Sequence, residues 1–395
     1  MALIESQPGR PAMITKDTIQ PFSRHAADLT SQRLPPSASS SLPSSSSSPV
    51  ASSSSSPCPS PSQWSSPSRS SSSEALHQAL DESLQYDTYY PSGSLQLFNH
   101  LPMVLGALTR LGAPPTALRR QLDHWRELSV PARPSQRAVP PLEAVLADLL
   151  LSAHVDAFHA AIRLAYALQS GHTGEERAAL AAWLAKAPAA SSDSQVGPAG
   201  PSGESGLHPH SAVPQPQTLL RETLAAVRAD PRLGMEPAGG TLIVTRLQRA
   251  QALPAFPDYA RVPQLSLDDL AEASLAVYLA THDFTALHLV TGTHAVRELI
   301  NVAHARGLAL DLPRILAAFW RAWLAAFIAI RRPAPAWDLV HAGSASEGDW
   351  EAAVPTLSDS VNDHRIKLAD AAREEWRHRG WPGYALCLQP LGAAQ

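Results

Sequence analysis

The segment THDFTALHLVTGTHAVRELI, residues 281–300, places histidines, threonines and a glutamate within an apolar run. At the 100° per residue of an α-helix, its apolar positions fall on one face, and several polar residues share that face. The members of the face are Phe284, Leu287, His288, Thr291, His294, Ala295, Glu298 and Val302. Burying an imidazole or a carboxylate without a partner costs on the order of a few kcal/mol. The segment therefore predicts a core helix whose polar side chains form a hydrogen-bond network or hold an ion.

Three further segments combine helical periodicity with a histidine in an apolar setting. Each histidine taken alone also fits a core residue satisfied by its neighbours, and a lysine beside one also fits a side chain that extends to solvent. The segments are Leu97–Gly112, with Asn99 and Pro102 as start signals and His100 at the helix mouth; His154–Leu168, with His159, Arg163 and Tyr166 on one face; and Ser358–Trp376, with His364 and Lys367 one turn apart.

Low-complexity segments limit the part of the 395-residue chain that can pack. Residues 1–73 end in a Ser/Pro tract with too little apolar area to offset its ordering entropy, which predicts a disordered N-terminal region. Residues 187–216, rich in Ala, Ser, Gly and Pro, predict a flexible insertion. Helical patterns recur across residues 74–390, while Asp87–Gly93 predicts a loop and residues 241–245 a strand or a helix. We expect an all-α, multi-helix single domain with a central cavity lined by inward-facing histidines.

The amino-acid composition limits which classes of binding partner and which cellular compartment we expect. The 31 Lys and Arg against 35 Asp and Glu form no basic patch, which disfavours nucleic acid. Cys58 and Cys387 lie far apart, so we expect neither a disulfide framework nor a cysteine zinc site, and the pattern fits a reducing, cytoplasmic compartment. Residues 315–330 are interrupted by Arg321 and predict a buried helix, so we expect no membrane span.

The familiar cofactor and catalytic motifs are missing from the sequence. It contains no Gly-x-Gly-x-x-Gly after a strand, no Walker loop, and no His-Glu-x-x-His, Gly-x-Ser-x-Gly or Cys-x-x-Cys. A flavin or a nicotinamide cofactor would therefore have to bind without any of these sequence motifs. Redox chemistry here requires such a cofactor or a metal, and imidazole ligands suit iron, copper or zinc.

Four segments together resemble the questin oxidase-like family across most of residues 76–385. In chain order they are Phe98–Pro102 with Leu111–Pro114, Ala157–Ala167, Phe284–Ala295 and Asp363–Leu368. Members of that family are fungal and bacterial oxygenases of aromatic polyketides, associated with Baeyer–Villiger-type oxidation or ring cleavage of anthraquinone-like substrates and described as NADPH-dependent. The resemblance implies an oxidoreductase that takes a small aromatic substrate and dioxygen, with NADPH as a possible electron donor.

The resemblance also implies a non-haem iron site, because some members hold iron through histidines and a carboxylated lysine. Carried over by position, the candidate metal ligands are His100, His159, His288, His294, His364 and Lys367. His288 and His294 lie about 120° apart on an ideal helix, so one of them is expected to serve the substrate instead. Glu298 and Asp363 are expected to orient imidazoles, while Arg163 and Tyr166 face the substrate or simply pack. The candidate catalytic residues are Arg163, Tyr166, Glu298 and Thr291, which lies at the centre of the helix face.

The sequence departs from the family pattern at Phe98, Met103 and Arg163, where fungal relatives carry further histidines. Two other functions remain open at this point. One is NADPH-dependent oxidation without a stable metal, and the other is a non-catalytic helical protein, descended from such enzymes, that binds an aromatic ligand or a partner.

Overall fold

The computed structural model describes residues 69–132, 138–187, 216–235, 242–262 and 264–389. The N-terminal tract predicted to be disordered lies outside these residues, except that the first helix already begins at Arg69 instead of Ser73. The insertion predicted at 187–216 likewise falls almost wholly outside them. All of the described residues belong to one compact unit.

The described chain is helical apart from one β-hairpin, which confirms the all-α prediction. Short 3₁₀ turns cover Pro231–Leu233 and Pro382–Leu388. The α-helices are α1 (Arg69–Ser83), α2 (Leu101–Leu111), α3 (Pro115–Leu128), α4 (Leu142–Leu150), α5 (His159–Ser170), α6 (Thr173–Lys186), α7 (Pro216–Ala229), α8 (Ile243–Gln251), α9 (Phe256–Tyr259), α10 (Leu267–Thr281), α11 (Phe284–Ala305), α12 (Leu312–Ala329), α13 (Trp337–Val340), α14 (Glu347–Asp359) and α15 (Asp363–Arg379).

The hairpin occupies a stretch that we expected to form a loop. Strands β1 (Tyr89–Ser92) and β2 (Leu95–Phe98) pair antiparallel, with Tyr89 opposite Phe98. The turn between them contains Gly93, whose φ of 61° suits glycine. Pro91 does not prevent pairing, because proline is tolerated on edge strands and both strands of a two-stranded sheet are edges.

Two other predicted elements differ in detail. The ambiguous run at 241–245 is resolved as the start of α8 at Ile243. The single helix predicted over Ser358–Trp376 is broken, because α14 ends at Asp359 and α15 starts at Asp363. Asn362 caps the new helix by accepting a hydrogen bond from the backbone N–H of Arg365 at 3.0 Å. The break places residues 363 and 364 in a first helical turn.

Helix α12 lies in the core. It is the one helix, among those described, that is long and apolar enough to cross a membrane. Trp320 and Trp323 on it are nevertheless fully buried against the rest of the domain. The indole N–H of Trp323 also donates to the Ser274 hydroxyl at 2.8 Å. The buried helix predicted at 315–330 is therefore confirmed.

Four helices, α2, α5, α11 and α15, form a ring in which each packs against the next. Histidines at their N-terminal ends contact one another, as described below. Farther along the helices, Arg110 of α2 donates to Gln169 of α5 and to Asp370 of α15, and Gln169 donates to Glu298 of α11. The four helices therefore run side by side in the same direction. Parallel neighbours need long connections, and the remaining helices lie in those connections.

The start of α5 depends on an unusual backbone. Asp156, Ala157 and Phe158 have φ values of 50°, 56° and 73°, in the left-handed region that L-residues avoid. This turn directs the fully buried Phe158 ring against α11 at Gly292, where an added Cβ would lie 3.0 Å from the ring. The close approach leaves His159 as the first residue of α5.

Candidate metal centre

Four imidazoles meet where the ring of parallel helices begins. His100 is the N-cap residue of α2, His159 opens α5, His288 lies in the second turn of α11, and His364 lies in the first turn of α15. Ring centroids are 4.6 Å apart for His100 and His159, 4.6 Å for His100 and His364, and 4.7 Å for His159 and His288. The four side chains thus form one cluster, which we call the histidine cluster.

Each ring of the histidine cluster is oriented through its Nδ1 atom. The Nδ1–H of His288 donates to the Phe284 carbonyl at 2.7 Å, and that of His159 donates to the Asp156 carbonyl. His100 and His364 both donate through Nδ1 to Asp363, one to each carboxylate oxygen. Carbonyls and carboxylates only accept, so the hydrogen of each neutral ring is on Nδ1. Nε2 is therefore left as an unprotonated nitrogen in all four rings.

The geometry of these Nε2 atoms fits a bound metal ion. Nε2 of His159 and Nε2 of His288 face each other at 3.1 Å, although neither has a hydrogen to share. Two metal–imidazole bonds of about 2.1 Å at a right angle would place their nitrogens about 3.0 Å apart. Nε2 of His364 is buried without a hydrogen-bond partner. Ring nitrogens of His100, His159 and His364 lie within 4.8 Å of one another. A cation would turn these facing lone pairs into ligands.

Burial keeps the histidine cluster neutral. It lowers the pKa of His159 and His288 well below the usual value, and neighbouring imidazoles and Lys367 lower both further. Burial also lowers the pKa of His100 to about 3 and reduces that of His364. Neutral imidazole is the form that binds metals, so the rings need lose no proton to do so.

Asp363 and Lys367 complete the polar environment. Although burial raises the pKa of Asp363, His100 and His364 hold it well below its usual value, so the carboxylate is ionised. Lys367 is 2% exposed, which excludes the alternative of a lysine that extends to solvent. Burial lowers the pKa of Lys367 to about 8, and its nearest carboxylate oxygen, on Asp363, is 4.0 Å away. The predicted role of Asp363 in orienting imidazoles is confirmed.

The helix directions add an electrostatic preference. The N-terminus of an α-helix carries a partial positive charge of about half an elementary charge. The N-terminal turns of α2, α5, α11 and α15 all meet at the histidine cluster. This arrangement favours negative charge there, which suits the ionised Asp363 and any anionic ligand of a bound cation.

Aromatic side chains separate the histidine cluster from solvent. Phe98 stacks on His159 with ring centroids 5.3 Å apart and is buried. Phe284 lies 4.4 Å from the His364 ring and 4.9 Å from the His288 ring, yet 48% of it is exposed. A small molecule reaching His364 from this side would contact the Phe284 ring first.

Two predicted site residues on α11 lie elsewhere. Ring contacts join His100, His159, His288 and His364 to one another. Among the described residues, His294 makes no ring contact with these four. Its Nδ1–H instead donates to Glu375 at 3.0 Å. This settles which of His288 and His294 joins the cluster. Glu298, expected to orient an imidazole, accepts hydrogen bonds from Gln169 and Asn301, and that expectation was wrong.

The other three candidate catalytic residues have partners of their own. Arg163 forms a two-point ion pair with Glu175, with contacts of 2.6 and 3.0 Å. The Tyr166 hydroxyl donates to Asp370 at 2.7 Å, and the ring lines a pocket of about 360 Å³ with Arg110 and Gln169. The Thr291 hydroxyl donates to the Leu287 carbonyl of its own helix at 3.2 Å. None of the three has a hydrogen bond to the histidine cluster, so a substrate role for them stays a prediction.

Some polar residues of the helix ring escaped the sequence analysis. Asp370 is fully buried and accepts from both Arg110 and Tyr166. A signal for it was present, because Asp363, Lys367, Asp370 and Glu374 recur at intervals of four, three and four, which places ionisable groups on one side of α15. The Asp156 carbonyl that orients His159 had no such signal, since it depends on left-handed backbone.

Fold and site together define an all-α domain with a buried, imidazole-rich centre of the kind that binds transition metals. The questin oxidase-like family matches residues 143–372, more than half of the chain, and the protein belongs to this family. The match includes His159, His288, His364 and Lys367, and it begins after His100. No curated protein matches the chain. Family membership supports an oxidoreductase that acts on a small molecule.

Proposed function

We propose that the protein is a metal-dependent oxygenase of aromatic polyketide or anthraquinone-like substrates, with non-haem iron held by His100, His159, His288 and His364. The observation that carries the proposal is the 3.1 Å approach of two unprotonated Nε2 atoms, His159 and His288, in a buried site. Hydrogen-bonded core histidines would alternate donors and acceptors. Here the Nδ1 hydrogens point outward to oxygen acceptors, and the lone pairs converge.

Lys367 is the proposed anionic ligand, in its carboxylated form. The neutral amine attacks carbon dioxide, a bond forms between Nζ and the carbon, and one proton leaves to solvent, which yields a carbamate with one negative charge. Burial favours the neutral amine that this step requires. The positive ends of the surrounding helices favour the anion that it produces.

The protein's own groups would position the reactants. Bound iron would supply the one-electron chemistry that allows dioxygen to react with an aromatic molecule. Asp363 holds His100 and His364 in orientation through their Nδ1 atoms, as partners of metal-binding histidines commonly do. Phe98 and the surrounding core exclude water. The half-exposed Phe284 ring offers a planar aromatic substrate a surface beside His364. NADPH is the proposed electron donor, and the cytoplasm the proposed compartment.

The test is metal analysis combined with turnover. Protein produced with iron is desalted, its iron is measured, and oxygen uptake is followed with a panel of anthraquinones, with and without NADPH. We expect close to one iron per chain in the wild type and a loss of at least tenfold in His288→Ala. His304→Ala is the matched control, because His304 lies on the same helix but is exposed.

The outcomes separate the rival functions. Substrate-dependent oxygen uptake that is lost together with iron in His288→Ala supports the proposal. Uptake that needs NADPH and survives the loss of iron indicates oxidation without a stable metal. Bound iron without turnover on any substrate indicates a binding protein that descends from such enzymes.

A further inference from the structure

His294 lies outside the histidine cluster but has the same arrangement as the rings of the cluster, with Nδ1 bound to an oxygen acceptor and Nε2 left without a partner. It is 5% exposed, and its Nδ1–H donates to Glu375 at 3.0 Å. Glu375 also accepts from Arg297 at 2.9 Å, and although burial raises its pKa, His294 and Arg297 lower it, so it is a carboxylate. Nε2 of His294 is buried and has no hydrogen-bond partner. A carboxylate that orients an imidazole with a free Nε2 is the usual outer arrangement of a metal-binding histidine.

His294 lines a surface pocket of about 260 Å³ whose other residues supply ligand types at ligand spacing. Glu298 follows His294 by four residues on α11. Glu374 precedes His378 by four residues on α15, which packs against α11. Residues four apart on a helix are neighbours on its surface. Two helices therefore present two pairs, each with one imidazole and one carboxylate, to the same pocket.

The charge of the pocket permits a cation. Arg297, which also lines it, is paired with both Glu375 and Asp268. Arg377, the other arginine that lines the pocket, is paired with Glu347 as well as with Glu374. Glu298 accepts hydrogen bonds only from neutral amides among the described residues, so its negative charge is not cancelled by a hydrogen-bonded cation.

We propose that this pocket is a second transition-metal site, with Nε2 of His294 as the buried ligand and Glu298, Glu374 and His378 closing around the ion. The four ligand atoms do not converge without the ion, since the described residues contain one group of ligand atoms within 4.8 Å, and it is in the histidine cluster. Glu298 and Glu374 are half-buried and His378 is exposed. Closure would replace the hydrogen bonds that Glu298 accepts from Gln169 and Asn301 and the 3.5 Å contact between Arg297 Nη1 and His378 Nε2. The ion pair that Glu374 gives up, with Arg377 at 2.8 Å, is at the surface and is worth little.

The experiment titrates metal-stripped full-length protein with zinc alone and counts equivalents retained after equilibrium dialysis. All variants are made in a His159→Ala background, because His159 belongs both to the group of three imidazoles within 4.8 Å and to the 3.1 Å pair with His288, so its loss disables the histidine cluster. We expect the background protein to retain one equivalent, and His294→Ala, His378→Ala and Glu298→Gln each to bind zinc at least tenfold more weakly. His304 is exposed and lies beyond Glu298 on α11. The control variant His304→Ala should therefore leave zinc binding unchanged.

Substitution of cobalt for zinc gives an independent readout, because its visible spectrum reports ligand number and type. Loss of binding in all three variants, with retention in His304→Ala, supports the site. Retention by His294→Ala overturns the proposal, as does a loss confined to His294→Ala. His378→Ala keeps the test decisive if His294→Ala fails to fold, since His378 is exposed and its removal does not disturb the core.

Discussion

Replacing Gly292 by alanine tests how tightly α11 and the start of α5 hold the histidine cluster. The new Cβ would lie 3.0, 3.1 and 3.2 Å from three atoms of Phe158, which is fully buried and next to His159. Overpacking of this kind costs about 1–3 kcal/mol. Alanine also gains about 0.8–1 kcal/mol over glycine inside a helix. The net expectation is a loss of about 0–2 kcal/mol, with His159 displaced.

Gly348→Ala is the control that isolates the clash. Gly348 lies in the first turn of α14, and its added Cβ would meet only the Ser346 hydroxyl oxygen, at 3.6 Å. This variant should be neutral or more stable by up to about 1 kcal/mol. Thermal melts measure the difference between the two variants, and iron content should fall in Gly292→Ala alone. Equal melting temperatures and equal iron in both would refute the argument that Phe158 couples α11 to His159.

Lys367→Met removes a buried amine at similar length. The iron-free protein should be at least as stable, because an apolar side chain replaces a buried polar amine, while iron content should fall by about 10–100-fold; unchanged iron would remove the lysine from the site. Hydrogen bonding from Arg377 lowers the pKa of Glu347 from 4.5 to about 2. Its contribution to stability is therefore present above pH 4.5 and disappears as the pH falls towards 2, so the melting temperatures of wild type and Glu347→Gln should converge at low pH. Trp323→Phe loses the hydrogen bond to Ser274 and should cost about 1–3 kcal/mol by chemical denaturation.

The helices and the inward histidines could be predicted from sequence because both depend on local spacing. His100 follows Asn99, a helix-start signal, and His288 lies on the apolar face of a periodic segment. Family resemblance added Lys367, whose burial no local pattern indicates. Periodicity alone could not choose between His288 and His294, since each lies at an edge of the same face. Their neighbours distinguish them, because His294 is hydrogen-bonded to Glu375 of α15, whereas His288 lies against His159 of α5.

Hydrogen-bond partners from distant segments could not be predicted. Glu298 was expected beside an imidazole because it follows His294 by one turn, yet Gln169 of α5 binds it. Arg163 shares a helical face with His159, but Glu175 of α6 neutralises it. The carbonyl of Asp156 depends on three consecutive left-handed residues, which composition does not signal. In each instance the partner comes from tertiary packing or from backbone geometry that side-chain type does not encode.

The order of the ligands along the chain determines when the centre can form during synthesis. His100 and Asp363 are hydrogen-bonded but separated by 263 positions. At about 5–20 residues per second, a ribosome needs roughly 13–50 s to travel between them. Throughout that interval the nascent chain carries His100 without the carboxylate that orients it, and also without His364 and Lys367, which follow Asp363. If the histidine cluster holds the proposed iron, loading must follow the release of α15 from the ribosome, and chains truncated before Asp363 should leave the ribosome without metal.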